Sequence, residues 1–202
     1  MKALLSRRQW LACLIQPSAQ AVRQLPEISL RRESDTSIPK EPGTYILILE
    51  APARRRIPVG ALGTLVLEPG FYAYVGSALG SGGLRGRLAH HRGRSRSPHW
   101  HIDYVRRHTA LREIWFSADT SRREHRWGAV LARSDGAIIP LAGFGASDCG
   151  CRSHLFRFSH RPRLSTLRRQ LGASTSRAAV APGAGAVPVD LDDTVCVAFE
   201  RG

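Results

Sequence analysis

The sequence predicts a mixed α/β (α+β) fold: a small, mostly antiparallel sheet flanked by helices, with an extra β-hairpin and disordered ends. Three observations predict it. Thr44 to Glu50 (TYILILE) is an unbroken run of β-branched, aromatic and apolar residues, which reads as a buried strand. Ile57 to Gly60, Gly63 to Leu67 and Phe71 to Val75 are short apolar runs broken by Gly60, Gly63 and Pro69-Gly70, the grammar of antiparallel hairpins. Leu84 and Leu88 share one face of a predicted helix over Leu84 to Arg92, and Trp127, Val130 and Leu131 share a face over Ser121 to Arg133.

The remaining elements follow in order. Ala51 to Arg56 is a polar turn, and Gly76 to Gly83 is a Ser/Gly loop leading into the first helix. Arg92 to Pro98 is a basic loop, Trp100 to His108 a second helix, and Ala110 to Ser117 a further strand. Ile138 to Leu141 and His154 to Phe158 read as short strands around the loop Gly143 to Ser153, and a short basic helix follows Pro162. Gly172 to Pro188 is rich in Ala, Gly, Ser and Pro and is expected to be disordered, while Val195 to Phe199 offers a last strand without an evident partner. The expected organisation is a flexible extension over 1–40, one domain over 41–160 and a low-complexity tail over 161–202. In the extension, Ser6 to Leu11 loosely matches a twin-arginine signal, but the apolar stretch Trp10 to Ile15 is short for one, which favours an untargeted extension or a mis-set start codon.

The charge balance narrows the partner. The chain has 202 residues with 30 Lys+Arg against 16 Asp+Glu, a net charge of +14, and all its basic residues but Lys2 and Lys40 are arginines. Arginine's planar fork suits bidentate phosphate contact, so a polyanion is expected, nucleic acid first, although a GC-rich genome would also enrich arginine. Cys13, Cys149, Cys151 and Cys196 are too sparse for a secreted disulfide scaffold, so a reducing cytoplasm is expected. No apolar run approaches the length of a membrane span.

Three motifs carry the chemistry: Gly43-Thr44-Tyr45 opening the first strand, Tyr74-Val75-Gly76 closing a later one, and Arg87-Leu88-Ala89-His90-His91 on the helix that follows. In this order they resemble the GIY-YIG nuclease superfamily. Together with His-Trp-His-Ile-Asp-Tyr from His99 and Gly-Phe-Gly-Ala-Ser-Asp-Cys from Gly143, they are similar to its Uri-type endonuclease branch, over about residues 42–160. The spacing between Tyr45 and Tyr74 is longer than in most of the superfamily, and the hairpin Ile57 to Leu67 accounts for it. The resemblance implies a divalent-metal-dependent endonuclease acting on DNA (with RNA as a further possibility) through one Mg²⁺ or Mn²⁺. Tyr45 and Tyr74 would then orient or deprotonate the attacking water, with Arg87 stabilising developing charge and Glu124 as the acidic metal ligand. Many superfamily members also carry a downstream Asn, and this chain contains no asparagine.

The residue chemistry supports such a set. Phosphodiester hydrolysis needs a cation facing developing charge, a Lewis acid and a means of positioning water. His91 stands one helical turn after Arg87 and shares its face, which makes it a further catalytic candidate for handling the water beside Tyr45 and Tyr74. Glu124 aligns with Trp127 and Leu131 on an inward helix face, where a carboxylate calls for a partner. Ser121-Arg122-Arg123-Glu124 also reads as a capping box, which gives Glu124 an alternative structural role. The glycine loop before the first helix is a candidate phosphate seat or a plain connector; it lacks the Gly-Lys-Ser/Thr ending of a P-loop, so nucleotide hydrolysis is not expected. Arg85, Arg92, Arg94, Arg96, Arg106 and Arg107 are candidate nucleic-acid contacts or a solvated basic face. Trp100 and Tyr104 could stack on bases, with core packing favoured for Trp100. Cys149, Cys151 and His154, with His101 as a fourth ligand, form a candidate zinc site, against the alternative of ordinary buried thiols. Two other readings remain at this point: a non-catalytic nucleic-acid-binding domain that uses the cleft as a phosphate grip, and a zinc-stabilised interaction module.

Overall fold

A computed structural model describes residues 38–93, 97–178 and 195–198. The expectations for residues 1–37, Arg94, Arg96 and residues 179–194 lie outside the described residues, whereas residues 38–40, expected to be part of the flexible extension, are packed, with Ile38 buried. The elements run β1 (Gly43–Ala51), β2 (Arg55–Pro58), β3 (Thr64–Leu67), β4 (Gly70–Ala78), α1 (Gly83–Arg92), α2 (His101–Arg106), β5 (Ala110–Ala118), α3 (Glu124–Ala132), β6 (Leu155–Phe158), α4 (Leu164–Ala178) and β7 (Val195–Ala198). A single 3₁₀ turn, Gly60–Leu62, joins β2 to β3.

The main sheet is ordered β6-β4-β1-β5-β7, and every pairing is antiparallel. The apolar run of β1 occupies the middle because both of its faces are covered. Tyr45, Leu47 and Leu49 point to one side and meet Leu84 and Leu88 of α1 and Ile102 and Val105 of α2. Ile46 and Ile48 point to the other and meet Trp127, Val130 and Leu131 of α3 and Leu164, Leu167 and Leu171 of α4. Each such fully buried aliphatic side chain contributes about 1.5–3 kcal/mol relative to exposure. The β2–β3 hairpin forms its own two-stranded sheet and adds Ile57, Leu65 and Leu67 to the first core.

Several boundaries differ from expectation. Ile138 to Leu141 is not a strand: Ile138 makes one isolated bridge to Arg157, and its side chain is exposed. The segment after Pro162 is a 15-residue helix, so residues 172–178 are helical rather than disordered. The apolar face of α4 packs into the core, so the domain continues past residue 160. β7 finds its partner on the outer edge of β5. Among the described residues, no helix is long and apolar enough to cross a membrane.

The expected phosphate seat at the start of α1 is occupied by protein. Leu84 N donates to Glu41 O at 2.9 Å and Arg85 N to Pro39 O at 3.0 Å, so these amides are already satisfied. This strap presses on Gly83, which has φ +53°, and a Cβ there would overlap the Lys40 and Glu41 carbonyls. Gly83→Ala should therefore lower unfolding free energy by at least about 2 kcal/mol in urea titrations. Gly86→Ala, where a Cβ meets open space inside the same helix, should be neutral or stabilising by up to about 1 kcal/mol. Equal effects at the two sites would contradict the strap.

Candidate active site

The two motif tyrosines are brought together by strand register. Tyr45 stands opposite Gly76 across β1 and β4, and a Cβ at Gly76 would overlap the Tyr45 phenol. A glycine is thus required there for the ring to lie flat across the neighbouring strand. Gly43 is required for a similar reason, because Ser117 O and Leu84 crowd its α-carbon. The Tyr45 and Tyr74 rings face one another at 6.5 Å between centroids, tilted by 52°.

Behind Tyr45 lies His91, which is 1% exposed. Tyr45 Oη is 2.8 Å from His91 Nε2. Burial dominates the imidazole and drives its pKa from 6.5 down to about 3, despite the opposing field of Asp103. The ring is therefore neutral. Asp103 Oδ1 lies 3.8 Å from Nδ1 and favours the proton on that nitrogen, so Nε2 accepts and Tyr45 donates. His91 is a positioning group for Tyr45 and lines no part of the cleft, which corrects its expected role in handling water directly.

Arg87 projects from α1, half-buried, with its guanidinium carbon 4.0 Å from the centroid of the Trp100 ring. Trp100 also meets His90 edge-on at 4.8 Å, so it serves as a plate that fixes the arginine rather than as a free base-stacking surface. Tyr104 is packed against the core. The motif His99 to Asp103 resolves into a helix start: the Asp103 carboxylate accepts from His99 N at 2.9 Å and Trp100 N at 3.0 Å, and His90 Nε2 stands 3.1 Å away. Burial opposes the charge on Asp103, but these amide and imidazole hydrogen bonds outweigh it and hold its pKa below the usual value.

Glu124 reaches the cleft by an unexpected route. The apolar face of α3 packs on the side of the sheet opposite Tyr45, yet Glu124 is the first residue of the helix and lies at the sheet's end. The expected capping box is not formed, because Arg123 is the N-cap and no side chain caps the helix. Asp119 organises the turn instead, accepting from Ser117 Oγ at 2.8 Å and Ser121 N at 2.7 Å and pairing with Arg123 at 2.8 Å. Arg123 N donates to Thr44 Oγ1 at 3.3 Å, which pins the helix start to β1. Glu124 Oε1 then lies 2.8 Å from Nδ1 of buried His154. Burial works against this carboxylate, but His154 and Ser77 hydrogen bonds prevail, and its pKa is lowered.

Tyr45, Tyr74, Arg87 and Glu124 thus line a single polar cleft of about 280 Å³, together with Ser77, His101 and Asp148. Neither Ser77 nor Asp148 carries a role in the sequence reading; Ser77 directly follows the Tyr74-Val75-Gly76 motif, and Asp148 lies within the Gly-Phe-Gly-Ala-Ser-Asp-Cys motif from Gly143. Burial raises both tyrosine pKa values, with the neighbouring phenol or Glu124 adding to it and Arg87 opposing, so both are protonated at neutral pH.

Two other sets of expected residues are rearranged. Arg106 is 5% exposed and donates to His91 O at 2.9 Å and Thr109 O at 3.1 Å, a structural role that removes it from the nucleic-acid contacts. Arg85 Nε donates to Ile38 O at 2.9 Å, so it buttresses the strap, and Arg92 is half-buried; Arg107 alone of the described candidates is exposed. His101 is absent from the expected thiol cluster, because its Nδ1 accepts from Gly145 N at 3.0 Å. His125 takes that place beside Cys149, Cys151 and His154. Burial and neighbouring Cys149 raise the Cys151 thiol to about 11.

The neutral state of His91 has a consequence for stability. Its folded pKa is depressed, so the unfolded chain binds more protons between about pH 3 and 6.5, and stability falls as pH drops through that window. From about pH 7.5 to pH 5, the wild type should lose roughly 2 kcal/mol more unfolding free energy than His91→Gln, measured by chemical denaturation. Equal losses would show that His91 is not held neutral.

The model of one protein family, described as "Domain of unknown function DUF123", matches residues 44–176, well over half of the chain. No curated protein and no solved structure matches. The match spans every element from β1 through most of α4, including all the residues that line the cleft. The chain is therefore a member of the DUF123 family.

Proposed function

We propose that this protein is a metal-dependent phosphodiester hydrolase of the GIY-YIG type, of the Uri-type branch, acting on DNA. The observation that carries the reading is the convergence of Tyr45, Tyr74, Arg87 and Glu124, drawn from β1, β4, α1 and α3, on one polar cleft. The net charge of +14 supports a polyanionic substrate.

The cleft fits a hard divalent cation. Glu124 supplies an ionised carboxylate, and Ser77 and Asp148 add oxygen donors to the lining of the cleft. One protein carboxylate with several waters is the coordination Mg²⁺ commonly accepts, and Mn²⁺ takes similar ligands. When bound, such an ion would supply Lewis acidity to the phosphoryl group. Arg87, held against Trp100, presents a guanidinium fork for a non-bridging phosphate oxygen, where charge develops as the bond breaks. Tyr45 donates its hydrogen bond to His91 Nε2 and keeps its proton, which leaves the phenol oxygen as an acceptor for a water hydrogen. Both phenols are protonated, which supports a role in orienting water rather than taking its proton while the site is free of charge compensation.

The same protonated phenols favour a second reading, in which the cleft grips a phosphate without cutting. Incubation with branched, duplex and single-stranded DNA, with and without Mn²⁺, separates the two. Metal-dependent products should appear, and Arg87→Ala should lower the rate by about 10²–10³-fold with the circular-dichroism spectrum unchanged. Glu124→Gln should abolish the metal-dependent cleavage. Salt-sensitive binding without products would favour the grip, and activity indifferent to both substitutions would remove the cleft from the chemistry.

A further inference from the structure

Beside the cleft, and outside the set just assigned to hydrolysis, lies a second cluster of ligand-type side chains. His125 on the first turn of α3, Cys149 and Cys151 on the long loop before β6, and His154 at its end bring four donor atoms within 4.8 Å of one another. His125 Nδ1 is 3.2 Å from Cys151 Sγ, and His154 Nε2 is 3.4 Å from Cys149 Sγ. Zinc–sulfur and zinc–nitrogen bonds of about 2.3 and 2.0–2.1 Å, opened to tetrahedral angles, place ligand atoms about 3.3–3.8 Å apart. The His154–Cys149 separation falls within that spacing, the His125–Cys151 separation lies just below it, and no pair needs to contract by more than about 1 Å to meet it.

From this geometry we propose that His125, Cys149, Cys151 and His154 bind one Zn²⁺ as a structural Cys₂His₂ site. Two thiolates balance the charge of the ion, and two imidazoles complete a closed coordination shell, the ligand set of a structural rather than a catalytic zinc. The soft sulfur donors separate this site from the oxygen-lined cleft next to it, so the two prefer different metals.

The shared residue is His154. Its Nδ1 lies 2.8 Å from Glu124 Oε1 while its Nε2 faces the thiols. A carboxylate 2.8 Å from Nδ1 favours the proton on that nitrogen and leaves the Nε2 lone pair for the ion, the carboxylate–histidine–zinc arrangement that fixes ring orientation and tautomer. The pairing acts in both directions: a zinc on Nε2 locks the imidazole that holds Glu124 in place at the wall of the cleft. His154 is further held by its backbone, which donates to Phe144 O at 2.7 Å and accepts from Val75 N at 3.0 Å. The loop between Phe144 and His154 has little regular structure, and a metal joining it to α3 explains how it keeps one path.

The site stands independently of the hydrolytic reading, because zinc binds whether or not the cleft cuts, and metal content reports it without any nuclease assay. The full chain, purified with a reductant and offered zinc, should retain about one zinc per chain after gel filtration. Replacement with Co²⁺ should give intense visible bands of tetrahedral cobalt and near-ultraviolet thiolate charge transfer. His125→Ala removes an exposed ligand with little risk to folding, and Cys151→Ser removes a thiolate; each should lose metal to a competing chelator at least about tenfold more readily. His101→Ala should retain zinc as the wild type does, because His101 lies outside the thiol cluster. Less than about a tenth of an equivalent of bound metal would overturn the proposal, as would thiolate-free cobalt spectra or wild-type retention in both ligand variants.

Discussion

The β1–β4 register constrains everything at the cleft. With Tyr45 paired to Gly76, the phenol crosses the neighbouring strand at a position without a side chain and delivers its hydroxyl to His91. A shift by one residue would turn Tyr45 to the opposite face and put Ile46 in its place. Such a shift would also drive alternate β1 side chains out of their cores, so the packing of Leu47 and Leu49 on one side and Ile46 and Ile48 on the other protects the geometry of the site. The motif glycines are thus packing requirements, each set by an atom that comes too close for a methyl group.

The site is assembled around the end of a sheet rather than on one face of it. Arg87 and His91 come from α1, on the tyrosine side, while Glu124 comes from a helix whose apolar stripe covers the other side. A carboxylate in the middle of α3 would be buried against Trp115 and Phe156 and could not reach the cleft. Placed at the first residue, it turns around the sheet end to Ser77 and His154, and Asp119, Arg123 and Thr44 hold the turn that makes this possible. His154 joins the oxygen-lined cleft to the thiol cluster, so the loop before β6 and the acid of the cleft share a single anchor.

Much of this was legible in the residues, and what was not has identifiable causes. The buried strand, the hairpin and the apolar faces of α1 and α3 follow from periodicity, because few other arrangements bury those stripes. Tyr45, Tyr74, Arg87 and Glu124 could be named together only through the motif order; spacing alone does not say that they meet. Ser121 to Glu124 has the form of a capping box, but the box fails because the carboxylate of Asp119 claims the turn first. The glycine loop has the form of a phosphate seat, but carbonyls from residues 39 and 41 take its amides, and nothing local announces a strap from that far away. Arg106 is indistinguishable by composition from Arg107, yet one is buried under His91 and the other is exposed. His125 displaced His101 in the thiol cluster because it stands beside Glu124, and the contact of α3 with the loop before β6 is a property of the tertiary fold.

The proposed hydrolysis requires a phosphate and a divalent cation to share the cleft walled by Arg87 and Glu124. Phosphorus magnetic resonance of a short, non-cleavable DNA oligonucleotide bound to the full chain tests this directly, with Mn²⁺ as a paramagnetic probe. Sub-stoichiometric Mn²⁺ should selectively broaden one phosphorus signal, an effect lost in Glu124→Gln although the oligonucleotide still binds. Uniform broadening, or broadening that survives Glu124→Gln unchanged, would contradict that arrangement.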